Sequence, residues 1–315
     1  MRQAFVNTLC DLAAADERIV LLTGDLGYMA LEPFRDRFPA RFFNVGVAEQ
    51  NMIGVATGLA EAGFLPYAYS IATFAALRPF EFIRNGPVLH HLPVRIVGMG
   101  MGYNYGHAGP SHHALEDIAV LRTLPGLNVV IPADSKQASS AIEQTCSVAG
   151  PIYYSLSKDD KAVVPGLGGR FGLGRIQTIR EGPDLAIVSM GSITTEAAAA
   201  AEELARYGIR ATVIVVSNFN PDPAEDLARE LSRFPHAISV EAQTISGGLA
   251  SLLGQVIACH GISCRLSPLA VTTSPDGRSG SESDCWRRSG LDRTAIVECA
   301  LSICGKPSLA AGAPH

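Results

Sequence analysis

Residues 44–52, Asn-Val-Gly-Val-Ala-Glu-Gln-Asn-Met, place a carboxylate where an apolar strand leaves through a glycine and a helix of small residues begins. Two readings of Glu49 are open. An acid in the first turn of a helix is favoured by the helix dipole and needs no further role. Alternatively, if Val45, Val47 and Ile53 exclude water, the acid is half-buried, keeps its proton to higher pH and can exchange it with a ring nitrogen. Other reactive side chains form no comparable pattern. His90, His91, His107 and His113 read as loop or surface residues rather than metal ligands. The seven cysteines are odd in number and contain no C-x-x-C pair, which excludes a disulfide framework or a zinc knuckle and fits small buried side chains in a reducing compartment.

Positioning such an acid requires a rigid frame, and the hydropathy pattern supplies one. Ile19–Leu22, Phe42–Val45, Val94–Val97, Val129–Ile131 and Ile152–Tyr154 read as buried strands, with helices over 48–61, stopped at Gly63, and over 135–148. Gly, Pro and charge dominate 159–183, which reads as a linker. The pattern then restarts with strands at Leu185–Val188, Ala211–Val216, Ile238–Val240 and 264–271, and helices over 194–207, 247–260 and 294–303. A further helix is announced by Asp222-Pro223-Ala224-Glu225, with Asp222 as its N-cap. The expected fold is α/β: two consecutive open-sheet domains with helices on both faces, over 1–158 and 184–305, followed by a flexible tail over 306–315.

Composition bounds the partners. The 315 residues are 47% hydrophobic and 17% charged, enough for two full cores. The net charge of −5 offers no basic excess for a phosphate backbone, so nucleic acid is a poor partner. No apolar run reaches membrane-spanning length and no basic leader precedes one, so a cytoplasmic protein is expected.

The segment around Glu49 resembles the cofactor-activating glutamate motif of the transketolase superfamily, and four further segments occur in the family's order. Thr73-Phe74, with Phe80 six residues on, is similar to the aromatic segment on which those enzymes stack the aminopyrimidine of thiamine diphosphate. Ala108-Gly109-Pro110-Ser111-His112-His113 and Leu115-Glu116-Asp117 resemble the substrate loop and the helix after it. Leu124-Pro125-Gly126 with Ile131-Pro132-Ala133-Asp134, and Val240-Glu241 with Gly247-Gly248-Leu249, extend the resemblance from about Arg2 to Ile303.

The resemblance implies a pyrimidine-binding domain followed by a transketolase C-terminal-like domain. It implies that Glu49 engages the pyrimidine nitrogen, that Phe74 and Phe80 stack on the ring with Leu77 in place of a third aromatic, and that Asp25 neighbours the thiazolium, although a strand-end turn explains that aspartate equally well. It gives His112 contacts to sugar oxygens and a part in proton transfer. The family also holds the cofactor's diphosphate through a divalent metal on a separate domain marked by Gly-Asp-Gly and a later Asn. No such pair occurs here, and Gly24-Asp25-Leu26-Gly27 lacks the second glycine. The chain therefore reads as half of an enzyme, without a metal site of its own. A partner subunit would supply Mg²⁺ or Ca²⁺ and the diphosphate grip in an α2β2 heterotetramer, approached through Gly54, Ala56, Gly58 and Ala60.

Departures from the family bear on substrate. Ala108 stands where sugar-phosphate transketolases carry an aspartate, and the positions that hold the substrate phosphate are Gly100, Met29, Lys158 and Arg2. Two cations survive, and Lys158 is a point charge rather than a fork. The expectation is a two-carbon ketol or acyl-anion transferase with altered donor and acceptor, as in secondary metabolism. The alternatives are the β subunit of a 2-oxoacid decarboxylating or deoxyxylulose-phosphate-synthase-like enzyme, and a non-catalytic partner subunit.

Overall fold

The structure, a computed structural model, describes residues 1–273 and 276–308. In the first half the elements are α1 (Arg2–Ala15), β1 (Ile19–Thr23), α2 (Glu32–Arg37), β2 (Phe42–Asn44), α3 (Glu49–Glu61), β3 (Leu65–Ile71), α4 (Ala72–Leu77), α5 (Phe80–Ile83), β4 (Arg95–Met99), α6 (Asp117–Leu121), β5 (Asn128–Val130), α7 (Ser135–Thr145) and β6 (Ile152–Leu156). In the second half they are β7 (Ile176–Arg180), β8 (Leu185–Ser189), α8 (Thr194–Arg206), β9 (Ala211–Val216), β10 (Asn218–Phe219), α9 (Ala224–Leu231), β11 (His236–Thr244), α10 (Leu249–His260), β12 (Arg265–Val271), α11 (Glu282–Arg288) and α12 (Arg293–Ile303).

Two sheets result, ordered β10-β5-β6-β4-β3-β1-β2 and β12-β11-β8-β9-β7. All strands of the first run parallel except β10, and all of the second except β7. Every residue of β1, β4, β6, β8 and β9 is buried, as expected for central parallel strands covered on both sides by helices. Six β3 residues are buried as well, but Pro66, Tyr67, Tyr69 and Ser70 interrupt its apolar run and hide the strand from a hydropathy reading.

Several expectations are corrected. The 42–45 segment is an edge strand, half-buried to exposed rather than buried. Within the expected linker, 176–180 form β7, which pairs with β9. Asp222 does not cap α9, which begins at Ala224 with Pro223 at the N-cap and no side-chain cap. Residues 276–280 lead into α11, capped by Ser281, while 274–275 lie outside the described residues. From 309 onward the expected tail also lies outside them.

The halves interlock. β10 of the second half pairs antiparallel with β5, matching Asn218 to Val130. Buried Gln137 on α7 donates to the Arg170 carbonyl and to Ser217 Oγ, each at 2.8 Å, and to Gln177 Oε1 at 3.2 Å. Asp134 caps α7 through the Gln137 amide and also accepts from the Val164 amide at 3.0 Å, which ties down the inter-sheet segment.

Candidate active site

Ligands of open α/β sheets gather at the carboxyl ends of the strands. At this edge of the first sheet, β1 ends in Gly24-Asp25, β3 passes into α4, β4 opens into the loop 100–116, and β6 ends before Lys158.

Glu49, the first residue of α3, is 2% exposed. Its Oε1 accepts from Ser70 Oγ at 2.9 Å, and its Oε2 from Arg78 Nη1 at 2.8 Å. The surroundings differ from those expected: Ile53 is buried, but Val45 is half-buried and Val47 is 70% exposed, so a hydroxyl and a guanidinium face the acid in place of an apolar wall. A Cβ on Gly24 would lie 3.7 Å from Glu49 Oε1, which puts the β1 end, and Asp25 after it, beside the acid.

Arg78 continues the line. The α4 turn brings residues 74 and 78 onto one face, and the guanidinium carbon lies 3.8 Å from the Phe74 ring centroid. Phe74 meets His112 edge-on, with centroids 5.1 Å apart, and His112 stands 6.2 Å from the Tyr105 ring. The Lys158 ammonium lies 4.0 Å from the centre of the Tyr105 ring. Burial, then the charge of Arg2, pushes Lys158 below the usual lysine range, with Glu282 opposing. Burial raises the Tyr105 phenol, with Arg2 opposing. Glu49, Arg78, Phe74, His112, Tyr105 and Lys158 thus form one unbroken row of contacts.

The remaining expected residues sit around this row. Exposed Asp25, at φ 57°, accepts from Asn44 Nδ2 and Tyr28 Oη, each at 2.8 Å, and these bonds lower its pKa, Asn44 the more. Gly100 has φ +91°, and a Cβ there would come 2.1 Å from the Tyr105 ring, so the space of a side chain at 100 is already filled. Ala108 is exposed and Leu77 is 40% exposed. Phe80 is half-buried and packs on the core, with no ring contact to Phe74 among the described residues, and Met29 is 93% exposed. His113, expected in a loop or at the surface, is buried.

Sequence reasoning missed Ser70, Arg78 and Tyr105. Arg78 carried a signal in its i+4 spacing from Phe74. Tyr105 carried one only through the missing side chain at Gly100.

The residues present suit one half of a flat, nitrogen-rich cofactor. A planar donor already fits between the buried carboxylate and an aromatic face, the two contacts that an aminopyrimidine needs.

The likenesses to known proteins agree with this geometry. Residues 1–161 match the transketolase pyrimidine-binding domain and residues 174–296 the transketolase C-terminal domain. A putative transketolase C-terminal section of Methanocaldococcus jannaschii is 34% identical over 301 residues, 95% of this chain and 94% of the relative. The 6-deoxy-6-sulfo-D-fructose transketolase subunit SqwH of Clostridium sp. is 34% identical over 306 residues, 96% of this chain and 94% of the relative. A solved structure described as a split gene transketolase, inactive beta4 tetramer, superposes with a TM-score of 0.85 at 31% identity and covers 96% of both chains.

Proposed function

Because this chain belongs to the transketolase family of thiamine-diphosphate-dependent transferases, we propose that it is the pyrimidine-binding and C-terminal subunit of a two-component transketolase, moving a two-carbon ketol or related acyl-anion unit. The observation that carries the reading is Glu49: a buried acid at the head of α3, with an aromatic face reached through Arg78.

In this reading the pyrimidine half of the cofactor is held by Glu49 and Phe74, with Leu77 beside them and Asp25 next to the thiazolium. Bound there, thiamine diphosphate supplies a thiazolium carbon that can be made nucleophilic. Glu49 holds or releases a proton at its Oε2, Ser70 fixes Oε1, and the β3–α4 turn orients Phe74. His112, hydrogen-bonded to Ser111 Oγ at 3.0 Å, faces substrate oxygens. Mg²⁺ or Ca²⁺ and the diphosphate grip belong to a partner in an α2β2 assembly. The relatives named as a section and as a subunit support that division, as does the tetramer of β chains described as inactive. Most exposed large apolar side chains among the described residues, including Tyr28, Met29, Val47, Val55 and Phe82, lie on the first domain, which also supports a partner surface. The expected α3 face divides: Ala56 and Ala60 are buried in the chain's own core, leaving Gly54 and Gly58 exposed.

Substrate choice rests on Arg2, Gly100, Ala108, His112 and Lys158, with Tyr105 added. Ala108 cannot bond a hydroxyl, and Tyr105 occupies the space before Gly100, so a donor unlike the common sugar phosphates is favoured. Reconstitution with the diphosphate-binding partner and a comparison of xylulose 5-phosphate with non-phosphorylated and sulfonated ketoses tests this. Faster transfer from the latter is expected, and ordinary transketolase rates with the sugar phosphate would contradict it. Release of CO₂ from pyruvate would instead support the decarboxylating reading.

A further inference from the structure

A cavity of about 90 Å³ lies where the loop carrying Tyr103 and His113 meets α11 of the second domain. It uses none of the row from Glu49 to Lys158. We infer that it is a binding site for a small oxyanion of the phosphate or sulfate class.

The argument starts from His113. Its side chain is buried, and neither ring nitrogen has a partner of good hydrogen-bond geometry among the described residues, although the Gly106 backbone lies close enough to act on the ring as a hydrogen-bonding group. Burial pushes its pKa down, opposed by the Gly106 backbone nearby. A buried polar group without a partner costs about 1–3 kcal/mol and calls for a bound group to satisfy it. The ring is held in place: Tyr103 packs against it edge-on at 5.0 Å and 82°, and the Tyr103 phenol shares a hydrogen bond of 3.0 Å with Ser289 Oγ.

The charges around the cavity are unbalanced. Arg278 leans on Asp276 at 3.7 Å, but exposed Arg288 has no carboxylate within ion-pair distance among the described residues. Among the described residues Arg288 Nη2 reaches only Cys285 Sγ at 3.3 Å and the Arg278 carbonyl at 3.5 Å. Two guanidiniums, one carboxylate and an unmet imidazole therefore share the lining, and what would satisfy the imidazole and Arg288 together is an acceptor of negative charge. The space suits a few waters or one oxyanion head. The walls are firm, because the Gly280 amide donates to the Gly106 carbonyl at 3.1 Å and holds the start of α11 against the loop.

The experiment needs only the intact chain. Thermal melting and ³¹P line broadening are followed with inorganic phosphate, sulfate, chloride and glycerol 3-phosphate at constant ionic strength. Saturable stabilisation by phosphate and sulfate, absent with chloride, is expected, with affinity falling at least tenfold in Arg288→Gln and in His113→Phe. Arg288 is exposed, so its replacement leaves the fold intact, and His113→Gln should restore part of the loss. Tighter binding of glycerol 3-phosphate would identify the head group of a metabolite as the source, whereas preference for inorganic phosphate would identify the free ion. Lys158→Ala, in the other cationic cluster, should keep the response. The inference is overturned if no anion binds saturably and water alone fills the cavity, if Arg288→Gln binds like the unaltered chain, or if only Lys158→Ala loses binding.

Discussion

Arg78 donates to the Glu49 carboxylate at 2.8 Å across an unequal pair, the acid 2% exposed and the guanidinium 43%. The same guanidinium lies over Phe74, its carbon 3.8 Å from the ring centroid. It thus makes both contacts, carboxylate edge and aromatic face, that a bound aminopyrimidine would require, and it has to yield one of them when a ring arrives. Replacing Arg78 by Met keeps the apolar stem and removes the competitor. The expected result is that thiamine diphosphate binds the reconstituted complex about tenfold more tightly, about 1.4 kcal/mol, in a fluorescence titration. Weaker binding would mean that Arg78 supports the ring rather than standing in for it.

Tyr105 and Gly100 share one volume. In Gly100→Ala the new Cβ meets the Tyr105 ring at 2.1 Å, on a backbone with φ +91° that side chains avoid. A loss of about 1–3 kcal/mol is expected in urea unfolding. Adding Tyr105→Ala should recover part of it, because the clash goes and the backbone strain stays. Strict additivity of the two substitutions would show that they do not meet.

Asp117 sets part of the pH dependence of stability. Its carboxyl is fully buried and accepts from Tyr153 Oη at 2.7 Å and Ser155 Oγ at 2.9 Å, both on Oδ2, while Oδ1 has no partner of good geometry among the described residues. Burial lifts it from 3.8 to about 6 against those two bonds. Between these values the folded chain keeps a proton that the unfolded chain has lost. This contribution is therefore fully present below about pH 4 and lost as pH rises to about 6. Two pH units correspond to roughly 3 kcal/mol. Asp117→Asn should flatten that decline in denaturation curves between pH 4 and 6, and an unchanged slope would contradict the assignment.

Lys158 and Arg2 form the cationic end of the row. Lys158→Ala should raise KM for an anionic donor more than tenfold while changing kcat little, since a charge that holds a distal group binds ground and transition states alike. An equal fall in kcat would place Lys158 closer to the reacting atoms.

Much of this was legible in the sequence because burial on both faces leaves uninterrupted apolar runs, as at Ile19–Leu22 and Leu185–Val188. β3 was not, since its tyrosines and proline are buried through packing that no hydropathy pattern records. β10 was hidden for a different reason: two residues cross from the second half to the edge of the first sheet, a long-range pairing without local signature. At the site, the motif resemblance located Glu49, Phe74 and His112, which the structure brings into one row. The guanidinium on Glu49 was overlooked, despite its i+4 spacing from Phe74, because apolar shielding was expected around the acid, and Val47 turned outward instead. Tyr105 was invisible because a glycine 100 reads as an absence until its neighbour is seen to fill it.

The central claim is that Glu49 is the acid on which cofactor activation depends. The most direct measurement is kcat of Glu49→Ala in the complex reconstituted with the diphosphate-binding partner, with assembly verified by sedimentation. A fall of at least about a hundredfold, the lower range for a positioned acid–base group, is predicted. Full activity in a correctly assembled complex would contradict the account and leave this chain a non-catalytic companion.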